Sequence, residues 1–241
     1  MKKIALFVEG ETEAYFVRKL FEEVARQDSV SFYEFKGVGG KKFHRVFTAL
    51  GQSVASNEEY VANIYISSTD SKVNQDIKDQ LPTLKRSGFS VIVGLRDLLG
   101  QKIGGVDTTL ADLPDYERVN ALLFSAEPSV HSIIAVMEIE TWFLSETNHY
   151  QRISSRLTET LIKANVHSIG VDPYVDDLTQ VTEPAETLDK IYHLAGEQYG
   201  KSKQLRERTI DALDMAYVYM NGTQRLVKLR DFVKVIDDFL S

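Results

Sequence analysis

Solid apolar runs of strand length, separated by longer stretches in which apolar residues recur at helical spacing, set the pattern of this chain. Runs such as Ile4-Ala5-Leu6-Phe7-Val8 and Val91-Ile92-Val93 are bounded by charge and glycine. They predict strands over 3–8, 31–36, 62–68, 89–95 and 130–137. The intervening stretches predict helices over 11–27, 41–55, 71–87 and 114–126. In the first helix Phe16, Val17, Leu20, Phe21 and Val24 form one stripe, while Arg18, Lys19, Glu22 and Glu23 lie largely elsewhere, which marks a core face. Pro82 has no N–H to give, so it should interrupt 71–87 or start a second helix within it. This alternation of strand and helix is that of an α/β fold.

Beyond the fifth strand the chain turns helical. Helices are expected over 149–164, 183–198, 205–216 and 224–240, and Glu138-Ile139-Glu140-Thr141-Trp142-Phe143-Leu144 should lead into another. The last helix carries Leu226, Leu229, Val233, Ile236 and Phe239 on one face, so it docks, either on its own chain or on a second copy in a homodimer. The expected organisation is an α/β core over 1–146 and a helical C-terminal region over 147–241 packed on it. Within the core, after Asp97, the glycine-rich stretch from Gly100 to Asp107 should be irregular and exposed.

Chemistry enters where the strands stop. Glu9 follows the first strand, Asp97 follows Ser90–Leu95 and Arg96, and Glu138 and Glu140 follow Ser132–Met137. If these strands are neighbours in one parallel sheet, their acids share the carboxyl edge, where open α/β sheets place their sites, and hard carboxylate oxygens suit Mg²⁺ or Mn²⁺. Helical spacing would turn only one of Glu138 and Glu140 toward such a cluster. Structural roles are also open: Glu9 can cap the first helix, Asp97 can pair with Arg96, and Glu11 and Glu13 suit a first helical turn whatever their chemistry. Trp142, followed by Phe143 and Leu144, fits a core anchor better than a base-stacking platform.

Composition narrows the function. With 241 residues, 43% of them hydrophobic, the chain can bury a sizeable core, and its formal charge of −7 argues against non-specific coating of nucleic acid. Local basic patches remain. One is Lys36-Gly37-Val38-Gly39-Gly40-Lys41-Lys42 with His44 and Arg45, and the other is Lys201, Lys203 and Arg206 beside Tyr199. Lys41, Lys42, Lys201 and Lys203 are the candidate contacts for substrate phosphate, although both patches also fit solvated loops. The first patch lacks the phosphate-loop signature. No cysteine occurs, which removes disulfides, thiolate metal sites and cysteine nucleophiles and suits a reducing cytoplasm. The histidines show no zinc spacing, and no Gly-x-Ser-x-Gly elbow is present. Neither a membrane span nor a signal peptide is expected.

The stretch Val8-Glu9-Gly10-Glu11-Thr12-Glu13 resembles the opening motif of Toprim domains, the nucleotidyl-transfer and nuclease module of topoisomerases, primases and overcoming-lysogenization-defect nucleases. Leu95-Arg96-Asp97, Ala135-Val136-Met137-Glu138-Ile139-Glu140-Thr141-Trp142, Glu183-Pro184-Ala185 and Tyr199-Gly200-Lys201 extend the similarity. Together they look most like an uncharacterised bacterial Toprim-related family found at phage-defence loci. The resemblance implies a Toprim-like sheet with flanking helices and a helical C-terminal appendage. It implies a divalent-metal-dependent nuclease, a hydrolase of phosphodiester bonds in DNA or RNA, using Mg²⁺ or Mn²⁺ and serving phage defence with a defence-system protein partner. Glu9 matches the glutamate assigned to acid-base work or metal organisation, Glu13 gains catalytic weight, and Asp97 matches the first acid of the Asp-x-Asp motif. Leu99 stands where the second acid belongs. Either Glu138 or Glu140 then supplies the missing ligand, or the chain is a catalytically degraded sensor or protein-interaction module.

Overall fold

Strand β1 (Lys2–Val8) runs inside a six-stranded sheet, paired in parallel with β4 (Tyr60–Ile66) on one side and β5 (Val91–Asp97) on the other. Beyond β4 come β2 (Val30–Val38), also parallel, and then β3 (Val46–Ser53), antiparallel to β2 at one edge. Beyond β5 lies β8 (Val130–Ala135), parallel, at the other edge. The structure, a computed structural model, describes residues 1–25, 29–39, 45–68, 72–98, 102–103 and 106–241. Within the glycine-rich stretch, Lys102–Ile103 (β6) pairs antiparallel with Val106–Asp107 (β7).

Alternate residues of β1 supply the two faces of the sheet. Ile4, Leu6 and Val8 join the core built on the Phe16, Val17, Leu20 and Phe21 stripe of helix α1 (Glu11–Val24), while Ala5 and Phe7 join Val73, Ile77 and Leu84 of α2 (Val73–Arg86). Gly94 of β5 permits this second contact, since a Cβ there would stand 2.8 Å from the Ile77 Cδ1. Helix α3 (Leu113–Leu123) then connects β5 to β8.

Two expectations fail here. The region 41–55, expected to be helical, contains β3 instead, with residues 41–44 outside the described set. Val46, Ala49 and Leu50 have helical spacing, but hairpin pairing to β2, from Val38↔Val46 to Phe32↔Ser53, overrides that local pattern. The helix over Val73–Arg86 also passes through Pro82 without a break. The ring removes the bond to the carbonyl of Lys78, yet both residues are exposed, so water can satisfy that oxygen.

The C-terminal region is a set of short helices: α4 (Glu140–Ser145), α5 (His149–Ile153), α6 (Glu159–Ala164), α7 (Val166–Ile169), α8 (Pro184–His193) and α9 (Lys203–Ala212), followed by a terminal helix, Val227–Leu240. The single helix expected over 149–164 is thus divided between α5 and α6. Trp142 is the anchor, 1% exposed, with ring centroids 5.8 Å from both Phe16 of α1 and Phe232 of the terminal helix. Leu229, Phe232, Val233, Ile236 and Phe239 are all buried, each worth roughly 1.5–3 kcal/mol, and they share one apolar cluster with the sheet. The apolar face of the terminal helix is therefore used within its own chain. Among the described residues no helix is long and apolar enough to cross a membrane.

Candidate functional site

Because β1, β5 and β8 are adjacent and parallel, their carboxyl ends bring the candidate acids to one edge. Glu9 and Asp97 are 7% and 6% exposed, and Glu140, the first residue of α4, is fully buried. A stepwise set of bonds joins them. Glu9 Oε1 accepts from the Asp97 N–H at 3.0 Å, Asp97 Oδ1 accepts from the Ile139 N–H at 3.0 Å, and Glu138 Oε2 accepts from the Ala185 N–H, in the first turn of α8, at 2.9 Å. Glu9, Asp97 and Glu138 are thus each held by a main-chain N–H of another element. Glu13 turns back onto the N–H of Gly10 at 2.8 Å, where a Cβ on residue 10 would stand only 2.9 Å from the Glu13 Oε2.

Both Glu138 and Glu140 reach the cluster, contrary to the helical-spacing argument. Glu138 precedes the helix: its N–H donates to the Val136 carbonyl at 2.9 Å across Met137, whose φ is 59°. This is a three-residue turn of the rare, strained kind, and it frees the pair from helical geometry. The other described non-glycine residue with positive φ is Ser68, at 63°, on the wall of the same cavity.

That cavity has a volume of about 410 Å³ and is lined by Glu9, Glu13, Asp97 and Glu138 as well as by Glu11, Lys36, Lys201 and Arg206. Its electrostatics favour protons on the deepest acids. Burial, reinforced by Glu13 and Glu140, raises the Asp97 pKa well above the usual carboxylate range. Burial likewise pushes Glu140 up to about 7, against the opposing pull of Lys201 and the Tyr199 hydroxyl, which donates to Glu140 Oε1 at 2.5 Å. The other Glu140 oxygen, Oε2, is buried without a hydrogen-bond partner. Lys201 Nζ lies 3.4 Å from Glu138 Oε1 and 3.9 Å from Glu140 Oε1. Desolvation works against its ammonium, but Glu140, Glu138, Asp97 and Glu13 together hold its pKa above the ordinary lysine value.

The rim is cationic. Lys36 and Arg206 each lie 2.7 Å from a different oxygen of Glu11, and the Lys36 hydrogen bond leads in lowering the Glu11 pKa. Of the candidate phosphate contacts, Lys201 is in the cavity wall, whereas Lys203 is largely exposed and lies 4.0 Å from Glu207 of its own helix. Lys41, Lys42 and His44 lie outside the described residues, as does Leu99. Arg45 is committed elsewhere, to Asp76 through two nitrogens at 2.5 and 2.7 Å. Tyr199 was visible in sequence as a neighbour of the second basic patch and as part of the Tyr199-Gly200-Lys201 motif, without a role of its own. Its contact with Glu140, 59 positions away, has no local signature.

The donor set is chemically suited to a hard divalent ion: all its acidic members are carboxylates, one buried oxygen lacks a partner, and burial holds two acids toward protonation despite the pull of Lys201. As they stand, no three Asp, Glu or His side chains among the described residues are grouped to hold an ion. Several are turned onto main-chain N–H groups instead, so capture would require some of them to rotate. No family model, curated protein or solved structure matches the chain.

Proposed function

We propose that the chain is a divalent-metal-dependent nuclease of Toprim-like type, cleaving phosphodiester bonds in DNA or RNA. The observation that carries this reading is the convergence of acids from three adjacent parallel strand ends on one cavity with a cationic rim. Glu9 and Asp97, with Glu138 or Glu140, would hold Mg²⁺ or Mn²⁺. When bound, such an ion supplies charge neutralisation at the phosphoryl group and an activated water. Lys36, Lys201 and Arg206 line the cavity and would hold phosphate oxygens beside the acids; Lys203 does not line it. Glu13 lies at the cavity wall, where it can accept or return a proton, and Glu9 is the second candidate for that role. Service in phage defence, with a defence-system partner, follows from the resemblance alone.

The test is cleavage of single- and double-stranded DNA and RNA in Mg²⁺ and, separately, Mn²⁺. The Glu9→Gln/Asp97→Asn double variant should lose at least about 10²-fold, the scale of removing preorganised charge stabilisation from a site. Equal activity in wild type and variant rejects the mechanism.

One observation favours a second reading, a noncatalytic sensor. The Lys201 ammonium already offsets Glu138 and Glu140 without any metal. Calorimetric titration separates the two: Mn²⁺ uptake abolished by Glu9→Gln favours the enzyme, and no uptake by an intact fold favours the sensor.

A further inference from the structure

Glu11 stands between two cations of the rim that come to it from different parts of the molecule. Lys36 reaches one carboxylate oxygen from β2 and Arg206 reaches the other from α9, each at 2.7 Å. Among the described residues neither cation has another ion-pair partner. The Arg206 side chain is only 11% exposed, and its Nη1 also donates to the Lys201 carbonyl at 3.3 Å. A guanidinium so buried keeps its charge and needs an anion against it. Glu11 meets that need incompletely. Both of its oxygens are spent, and the Arg206 Nε stays buried with no acceptor. The Glu11 side chain is itself 38% exposed and shares the cavity wall with both cations, so a rotation of that side chain carries it to solvent.

We infer that Glu11 is a placeholder for phosphate: it occupies the seat between Lys36 and Arg206, and one backbone phosphodiester of a nucleic-acid strand displaces it on binding. The inference rests on the reading above that this cavity takes nucleic acid, and it names the contact at which the strand is admitted. A phosphodiester carries two unbridged oxygens on one atom, matching the two that Glu11 presents, and its bridging oxygens are further acceptors that a carboxylate lacks. Two anions cannot hold the same pair of cations. Glu11 therefore competes with the strand, and removing its charge should tighten binding. A carboxylate that served only to clip α9 to β2 would act in the opposite sense, because its loss would release both cations from their places.

The experiment is fluorescence anisotropy of labelled oligo(dT) and, separately, oligo(U), titrated with the purified full chain in EDTA so that neither cleavage nor a metal contributes. Each of the two ion pairs is individually weak, so Glu11→Gln should tighten binding of at least one strand on the order of tenfold. Glu207→Gln removes the same charge from α9, where its partner is Lys203, and should change affinity by less than about twofold. Thermal melting checks that both variants fold, and Glu11→Ala reads the same seat should the glutamine variant unfold. Affinity unchanged or weakened by Glu11→Gln, no binding of either strand by that variant, or an equal gain from Glu207→Gln overturns the inference. The nuclease reading is judged apart from it, by cleavage in Mg²⁺ or Mn²⁺. Metal-dependent cleavage without the tightening sinks the placeholder alone, whereas tightening without cleavage keeps the placeholder and sinks the nuclease.

Discussion

The two halves of the acidic cavity are assembled by different parts of the molecule. Glu9 is held by the main-chain N–H at the end of β5 and Asp97 by that of Ile139, in the turn after β8, so their placement comes with the strand ends and that turn. Glu138 and Glu140 are held by Ala185, Tyr199 and Lys201, all from the helical region. The first half needs correct strand order and the turn after β8. The second exists only when residues far along the chain are docked, which makes it the half through which the helical region can govern the site.

The largest effect that tests this contrast is pH-dependent. Glu140 is raised from 4.5 to about 7 in the folded chain, so it binds protons more tightly there than when unfolded. Its stabilising contribution is fully present below the unfolded pKa and is lost as pH rises through about 7. Without metal, thermal stability should fall between about pH 5 and 8, with Asp97 adding in the same direction. Glu140→Gln should remove part of that fall, a relative gain on the order of 3 kcal/mol at pH 8. Superimposable pH profiles for wild type and variant would contradict the buried-acid account.

Next in size is Tyr199→Phe, which deletes the hydroxyl donor to Glu140 while keeping the ring in place. Leaving a buried carboxylate short of a donor costs about 1–3 kcal/mol, and the loss in urea unfolding should be greater above pH 7 than at pH 5. An unchanged midpoint at both pH values would mean that the helical region does not hold this acid. The smallest effect is expected at Lys203. Its side chain is 77% exposed and its nearest acid lies on its own helix, so Lys203→Ala should stay within about 0.5 kcal/mol and leave cleavage unchanged. A clear loss of cleavage would bring that lysine back as a phosphate contact.

The strand-end half of the site was legible in the sequence because a short apolar run ending in an acid is a local pattern. The runs ending near Glu9, Asp97 and Glu138 fall on neighbouring strands. The Trp142 anchor was legible for the same reason, as part of an unbroken apolar segment. What the sequence hid was decided by distant contacts. Val46–Ser53 carries a helical spacing that hairpin pairing overrides, Pro82 is tolerated because the carbonyl it orphans faces water, and the Met137 turn that aims Glu138 has no glycine to announce it. The toleration of Pro82 and the reach of Tyr199 to Glu140 are properties of the assembled surface and core, not of any window of residues.

The amides that hold Glu9, Asp97 and Glu138 carry a consequence for how such a site can vary. A side-chain holder is lost by many substitutions. The N–H of residues 97, 139 and 185 is common to nineteen of the twenty amino acids and missing only from proline. At Ala185, which is only partly buried, the holder is therefore indifferent to nearly every replacement. The scaffold of the cavity is thus written in the path of the backbone, and chains with little sequence in common can inherit it whole.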